Sequence, residues 1–321
     1  SDKGICYLMS KIQYAGEFEF HELTIFATSG AVVDLLTDLI VQEINIFEDI
    51  YRNSISGSII VTDTDNIINK TPLIGQEELS IKIATPSLTA TSEIIDFTGN
   101  KTFTIYKVGN RAVVGNNAQT YELSFISTEA IENQRLRLSK SYTRNLDFIV
   151  EDILKNHIGT YKNLFIDNTT KNRKFVFPNN HPFTIIKHLT REALDGADSS
   201  NFMFFENKNG YNFRSLQSLY RQETRSDFHG GDKGLDESKL RFFGDYDHEA
   251  SLIQSYKRIL KYDFTSSKDL LLDTLGGVLG SKLITHDIYN KKFEEFTFDY
   301  FEDFDSGNTR IEGSRSRDNP A

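Results

Sequence analysis

Across residues 17–127 apolar and polar positions alternate in short runs broken by turn signals. Phe18, Phe20, Leu23 and Ile25 open the series, and residues 40–47 continue it with Val41, Ile44 and Ile46 available to a core. Residues 53–61 (Asn-Ser-Ile-Ser-Gly-Ser-Ile-Ile-Val) read as a strand entered from a turn at 49–53. Leu79, Ile81 and Ile83 alternate strictly until Pro86. Residues 96–98 and 102–106, separated by Gly99-Asn100, predict a hairpin, and 121–125 close the series with the same period of two. Strands at this spacing, with little helix between them, predict a barrel or sandwich. One helical turn is expected at 65–69, capped by Asp63 or Thr64.

The period changes after Thr128. Residues 129–138 are charged and read as a helix or connector. Leu146, Ile149, Val150, Ile153 and Leu154 recur at three and four, predicting a helix from Asn145 that stops at Gly159. A second helix is predicted over 182–194, with Pro182 in its first turn, a stripe of Ile185, Ile186, Leu189 and Leu194, and Gly196 as its end. Short strands at 164–166, 175–177, 202–205 and 211–213 alternate with these helices, the mark of a small α/β module. Residues 221–239 carry Gly230-Gly231 and Gly234 and read as a linker. Residues 252–260 are extended or helical, and 281–289 and 293–300 are two long strands that cannot close a sheet alone. The expected division is a barrel or sandwich over 1–138, an α/β domain over 139–220, a linker over 221–239, an incomplete strand region over 240–304 and a tail over 305–321. The fold class is therefore α+β, mainly β.

Composition narrows the functional classes. With 46 acidic against 36 basic residues the net charge is -10, which opposes tight sequence-independent binding of nucleic acid. Of the 39 aromatic Phe and Tyr residues 25 are Phe, and there is no Trp, which disfavours a carbohydrate-binding surface. The one cysteine, Cys6, gives no internal disulfide and fits a reducing cytoplasm. The run 5–9 is too short for a signal-peptide core, and no run approaches the roughly 20 apolar residues of a membrane span.

Candidate chemistry is sparse. Asp63-Thr64-Asp65 could pair carboxylates around a cation, but the same residues are preferred as helix caps. Asp303-Phe304-Asp305-Ser306-Gly307 starts like a calcium loop, yet Asn308 and Ser314 stand where glycine and glutamate are needed. Asp195-Gly196-Ala197-Asp198 reads as a helix end. Of the histidines at 21, 157, 181, 188, 229, 248 and 286, His181 and His188 are near neighbours but seven apart, unlike the four-residue spacing of helical metal pairs. Gly276-Gly277-Val278-Leu279-Gly280 lacks the lysine of a phosphate loop, and no nucleophile elbow is present. No catalytic, cofactor or metal residue is assigned. On 293–300, Phe296, Phe298 and Tyr300 share one face and Glu295, Thr297 and Asp299 the other, either as a half-buried strand or as an acidic outer or lumen face.

Three stretches together resemble the central baseplate hub subunit of T-even-type contractile phage tails and their cyanophage relatives. They are 53–64 running into 72–79, then 141–153, then 177–189 followed by 202–206 and 210–216. The resemblance spans most of 20–300. It implies two tail-tube-like barrels per subunit, a homotrimeric ring, tail-tube or tube-initiator proteins above and a central spike below. It also implies other baseplate proteins as partners, DNA passing through without specific binding, and a place in the virion after assembly in the host cytoplasm. Members of the family complete the second barrel after a further insertion, whereas the sequence read here runs to residue 321. The rival expectation is a tail-associated cell-wall hydrolase with its site in the α/β module.

Overall fold

The computed structural model describes residues 17–222 and 270–299, except 71–72, 74, 86–93, 115–117, 171, 197–199 and 278–279. Eight strands form one antiparallel sheet: β1 (Glu19–Phe26), β2 (Val32–Asp34), β3 (Ile40–Phe47), β4 (Ser56–Asp63), β5 (Glu78–Ala84), β6 (Ile95–Phe97), β7 (Phe103–Val114) and β8 (Ala118–Ser127). Their order is β2-β1-β5-β7-β8-β4-β3, with β6 also on β5. In β4 and β8 burial alternates with a period of two. Along β4 every second residue is buried, and along β8 Tyr121, Leu123 and Phe125 point inward. These side chains meet Leu23 and Ile25 of β1, Leu79 and Ile81 of β5, and Phe103 and Ile105 of β7 in one core. The sheet is thus rolled about its own apolar face. At its two ends, α1 (Leu35–Asp38) joins β2 to β3 and packs on both β1 and β3.

Two local features set the shape. In β3 the register shifts between Val41 and Glu43, one extra residue that brings Val41, Ile44 and Ile46 onto the same core-facing side. In β4, a Cβ on Gly57 would strike the Asn45 carbonyl of β3 and the Phe125 ring of β8, so only glycine lets these three strands close up.

The predicted hairpin at 96–106 is not formed. β6 pairs with Ile81–Ile83 of β5, and β7 then pairs with Glu78 and Leu79 of the same strand. A 3-10 turn, Gly99–Lys101, keeps the chain moving along one edge rather than folding it back. The hairpin partner of β7 is β8.

The second core belongs to residues 138–213. Here α3 (Thr128–Arg135), β9 (Leu138–Arg144), α4 (Leu146–Asp152), β10 (Asn163–Ile166), β11 (Arg173–Asn180), α5 (Pro182–Glu192), β12 (Phe202–Asn207), β13 (Gly210–Ser215) and α6 (Leu216–Tyr220) follow in order. β10 runs parallel to β13, β12 antiparallel to it, and β9 pairs with β11. The predicted stripes of α4 and α5 are buried, with Ile149, Val150, Ile185, Ile186 and Leu189 against Phe202, Phe204, Tyr211 and Phe213. α4 continues into a π-helical turn, Ile153–Ile158, and ends at Gly159 as predicted. α5 ends at Glu192, before Gly196, because Ala193 is already extended. The strand β9 was not predicted.

Beyond these cores a short helix, Leu270–Leu275, precedes a hairpin of β14 (Gly280–Asp287) and β15 (Lys292–Asp299), paired in register from Gly280↔Asp299 to Asp287↔Lys292. Leu283, Ile284, Phe293 and Phe296 are exposed on it. The linker beyond Gln222, residues 252–260 and the tail lie outside the described residues.

Candidate functional site

The candidate surfaces among the described residues are sheet edges, the junction between the two cores and a cleft beside it. β2 and β3 are the end strands of the rolled sheet. The β3 end carries Ile40, 59% exposed, and Phe47, 54% exposed. Such an edge offers unpaired backbone N–H and C=O groups to another strand.

The two cores are fastened together by a buried ionic cluster. Lys162, in the loop after the π-helical turn, donates to Glu129 Oε2 of α3 at 2.6 Å and to Glu206 Oε1 of β12 at 2.7 Å. Glu206 Oε2 also accepts from the Ile55 backbone N–H at 2.9 Å and from Ser127 Oγ at 2.5 Å, both at the end of the rolled sheet. Glu129 Oε1 accepts from Thr160 Oγ1 at 2.7 Å. All three charged side chains are buried. Burial raises the Glu206 carboxyl above its ordinary value, opposed by Lys162 and Ser127. Burial alone would lower the Lys162 ammonium, but Glu206 and Glu129 together raise it. The two shifts have different causes: desolvation lifts the Glu206 carboxyl, with a smaller push from Glu129, whereas the two carboxylates lift the Lys162 ammonium against its burial. The Tyr211 ring lies under the ammonium, 5.7 Å from its nitrogen, and burial next to Glu206 and Glu129 pushes its phenol well up.

Beside this junction a cleft of about 650 Å³ opens between the 51–56 segment, α3 and α5. Its walls bear Arg52, Lys187, His188 and Arg191 and, among the described residues, no carboxylate.

A second polar cluster lies on the α/β module. Asp152 Oδ2 accepts from Lys140 Nζ at 2.9 Å and Tyr142 OH at 2.7 Å, and Oδ1 from Asn156 at 2.8 Å. Burial would raise this carboxyl, yet these donors hold it well below the usual carboxylate range. Burial and then Asp152 push the Tyr142 phenol up. His157 Nε2 stands 3.5 Å from Asp152 Oδ2. The carboxylate is fully engaged by donors, which is the chemistry of a structural tie rather than of a general base.

The residues singled out in the sequence scatter. Asp63 is the cap: its Oδ1 accepts from Asp65 N–H and its Oδ2 from Ile68 N–H, at the start of α2 (Ile67–Lys70). Asp195 Oδ2 accepts from Ser215 Oγ at 3.2 Å, tying a helix end to β13. His181 Nδ1 reaches the carbonyls of Asn133 and Leu136, so it carries the proton there, while His188 lies exposed in the cleft with its ring edge-on to Phe175. His21 belongs to β1 and His286 to β14, where its ring meets Phe293. Gly276 and Gly277 follow the helix Leu270–Leu275 as a turn. Cys6, His229, His248 and the 303–307 acidic stretch lie outside the described residues. On 293–300 the Glu295 carboxylate pairs with Lys282 across the hairpin at 2.6 Å. Among the described residues no three metal-ligating side chains cluster, and no helix is long and apolar enough to cross a membrane.

No family model and no curated protein matches the chain. Solved structures do. A 43 kDa tail protein of prophage MuSo2 from Shewanella oneidensis aligns at 9% identity over 64% of this chain and 55% of its own, with a TM-score of 0.42. The prophage tail protein gp18 of Listeria monocytogenes EGD-e aligns at 10% identity over 88% and 69%, TM-score 0.43. The E. coli c3393 protein, a type VI secretion component described as structurally similar to T4 bacteriophage tail proteins, aligns at 16% identity over 64% and 51%, TM-score 0.40. These are tail proteins and a tail-like secretion component. The chain spans about half the length of the first of these structures.

Proposed function

We propose that this chain is a structural hub subunit of a contractile phage tail. Copies associate into a trimeric ring in the virion baseplate, joining the hexameric tail tube to a trimeric central spike and letting DNA through during ejection. The observation that carries the reading is the rolled antiparallel sheet whose end strand β3 exposes its backbone edge together with Ile40 and Phe47. An edge of this kind adds to a neighbour's sheet through main-chain hydrogen bonds, which is the means by which rolled sheets become rings. The net charge of -10 supports passage of DNA without sticking, since like charges repel across a channel. The engaged state of Asp152 and the capping role of Asp63 support a non-enzymatic role.

Electron micrographs of the purified chain are expected to show rings with a central opening. Fields of single globular particles at all concentrations would overturn the ring. Clearing of cell-wall substrate in a zymogram would overturn the non-enzymatic role.

A further inference from the structure

We propose that the cleft between the rolled sheet and α5 binds a short acidic peptide segment, and that its occupant is residues 301–305 of this chain. In a protein of net charge -10, a cleft whose walls carry cations and, among the described residues, no carboxylate is selective for anions. Lys187 and Arg191 stand four apart on α5 and so share one face of it, with Arg52 on the opposite wall. Arg52 is held only loosely, 3.8 Å from Asp49 across exposed surface. Glu192, the acid next to Arg191, is taken by Arg173 instead. Lys187 and Arg191 thus line the cleft with no carboxylate among its other described lining residues.

The remaining lining says what kind of anion fits. Asn53 and Gln134 can hydrogen-bond a peptide backbone, and Tyr51, 79% exposed at the rim, offers a ring to an aromatic side chain. The volume, about 650 Å³, lies among sites of roughly 300–1,000 Å³ that enclose small ligands, so it holds a few residues and not a duplex. The sequence at 301–305, Phe-Glu-Asp-Phe-Asp, combines three carboxylates with two rings.

The test uses the whole chain and a fluorescein-labelled peptide of residues 299–306, read by anisotropy. The receptor is a variant with Glu302→Gln, Asp303→Asn and Asp305→Asn, which removes the chain's own competing charges. Saturable binding is expected, at least about tenfold tighter to this variant than to the unmodified chain, and weakened by raising salt from about 50 to about 500 mM. Adding Lys187→Glu and Arg191→Glu is expected to cost at least about another tenfold. Both residues are on the surface, and an unchanged melting temperature checks that the fold survives. Absence of saturable binding, insensitivity to salt, or binding that survives both charge reversals would overturn the proposal. So would an eight-nucleotide oligothymidylate that binds as tightly and loses affinity with the same reversals, because the site would then read phosphate.

Discussion

Lys162 is the residue on which the junction turns. Replacing it with Met leaves Glu129 and Glu206 buried with no cation between them, and breaking a buried pair in this way costs about 3–5 kcal/mol. A urea titration is expected to show that loss, and a loss under about 1 kcal/mol would mean the cluster is a bystander. Gly57→Ala places a methyl against the Asn45 carbonyl and the Phe125 ring, an overpacking worth about 1–3 kcal/mol in the same titration. Asp152 has a pH signature. Its carboxyl is depressed in the folded protein, so the stability it adds is present above the ordinary Asp value of 3.8 and fades as pH falls through and below that value. Asp152→Asn is therefore expected to cost about 1–2 kcal/mol at neutral pH and progressively less toward pH 2. A pH-independent difference would contradict the assignment. None of these three sites announces itself in the sequence. Glu206 looks like the polar end of an apolar strand, and Lys162 and Glu129 lie in charged stretches, so only the fold reveals that they share a buried space.

At the scale of elements, what was legible depended on period and length. β4 and β8 alternate over eight or more residues with one buried face, β5 alternates apolar residues at 79, 81 and 83, and α4 and α5 repeat theirs at three and four. β9 failed because its buried residues, Leu138 and Tyr142, are four apart, which a helix would also give. β2 and α1 are three and four residues long, too short for any period to show. Gly99-Asn100 correctly marked a bend, but a turn signal does not say which strand the chain will pair with afterwards. Cap residues far from the helix they serve are equally silent: Thr169 Oγ1 accepts from the N–H groups of Leu146 and Asp147 at the start of α4, from a loop 22 and 23 residues on. The edge of β3 gives this scale its prediction. Ile40→Lys with Phe47→Lys places charges on exposed positions, so the protomer should keep its melting temperature while assembly is lost, as seen by sedimentation. Intact assembly in that variant would move the interface elsewhere.

At the scale of the whole molecule, the mainly β, α+β class and the change of character near residue 128 could be read directly, because hydrophobic period switches there from two to between three and four. The cleft could not, since its walls come from 51–56, 126–134 and 183–191 and meet only after both cores have formed. The hairpin of β14 and β15 has the opposite lesson. It was visible as two strands, yet two strands with Leu283, Ile284, Phe293 and Phe296 exposed are marginal alone and call for a covering surface. The exposed β3 edge and the apolar hairpin both support the proposed assembly, in which neighbouring copies would cover them. The most direct measurement is the solution mass of the chain by light scattering across a concentration series. The account predicts a species of three protomers that dissociates on dilution, and a strict monomer at every concentration would contradict it.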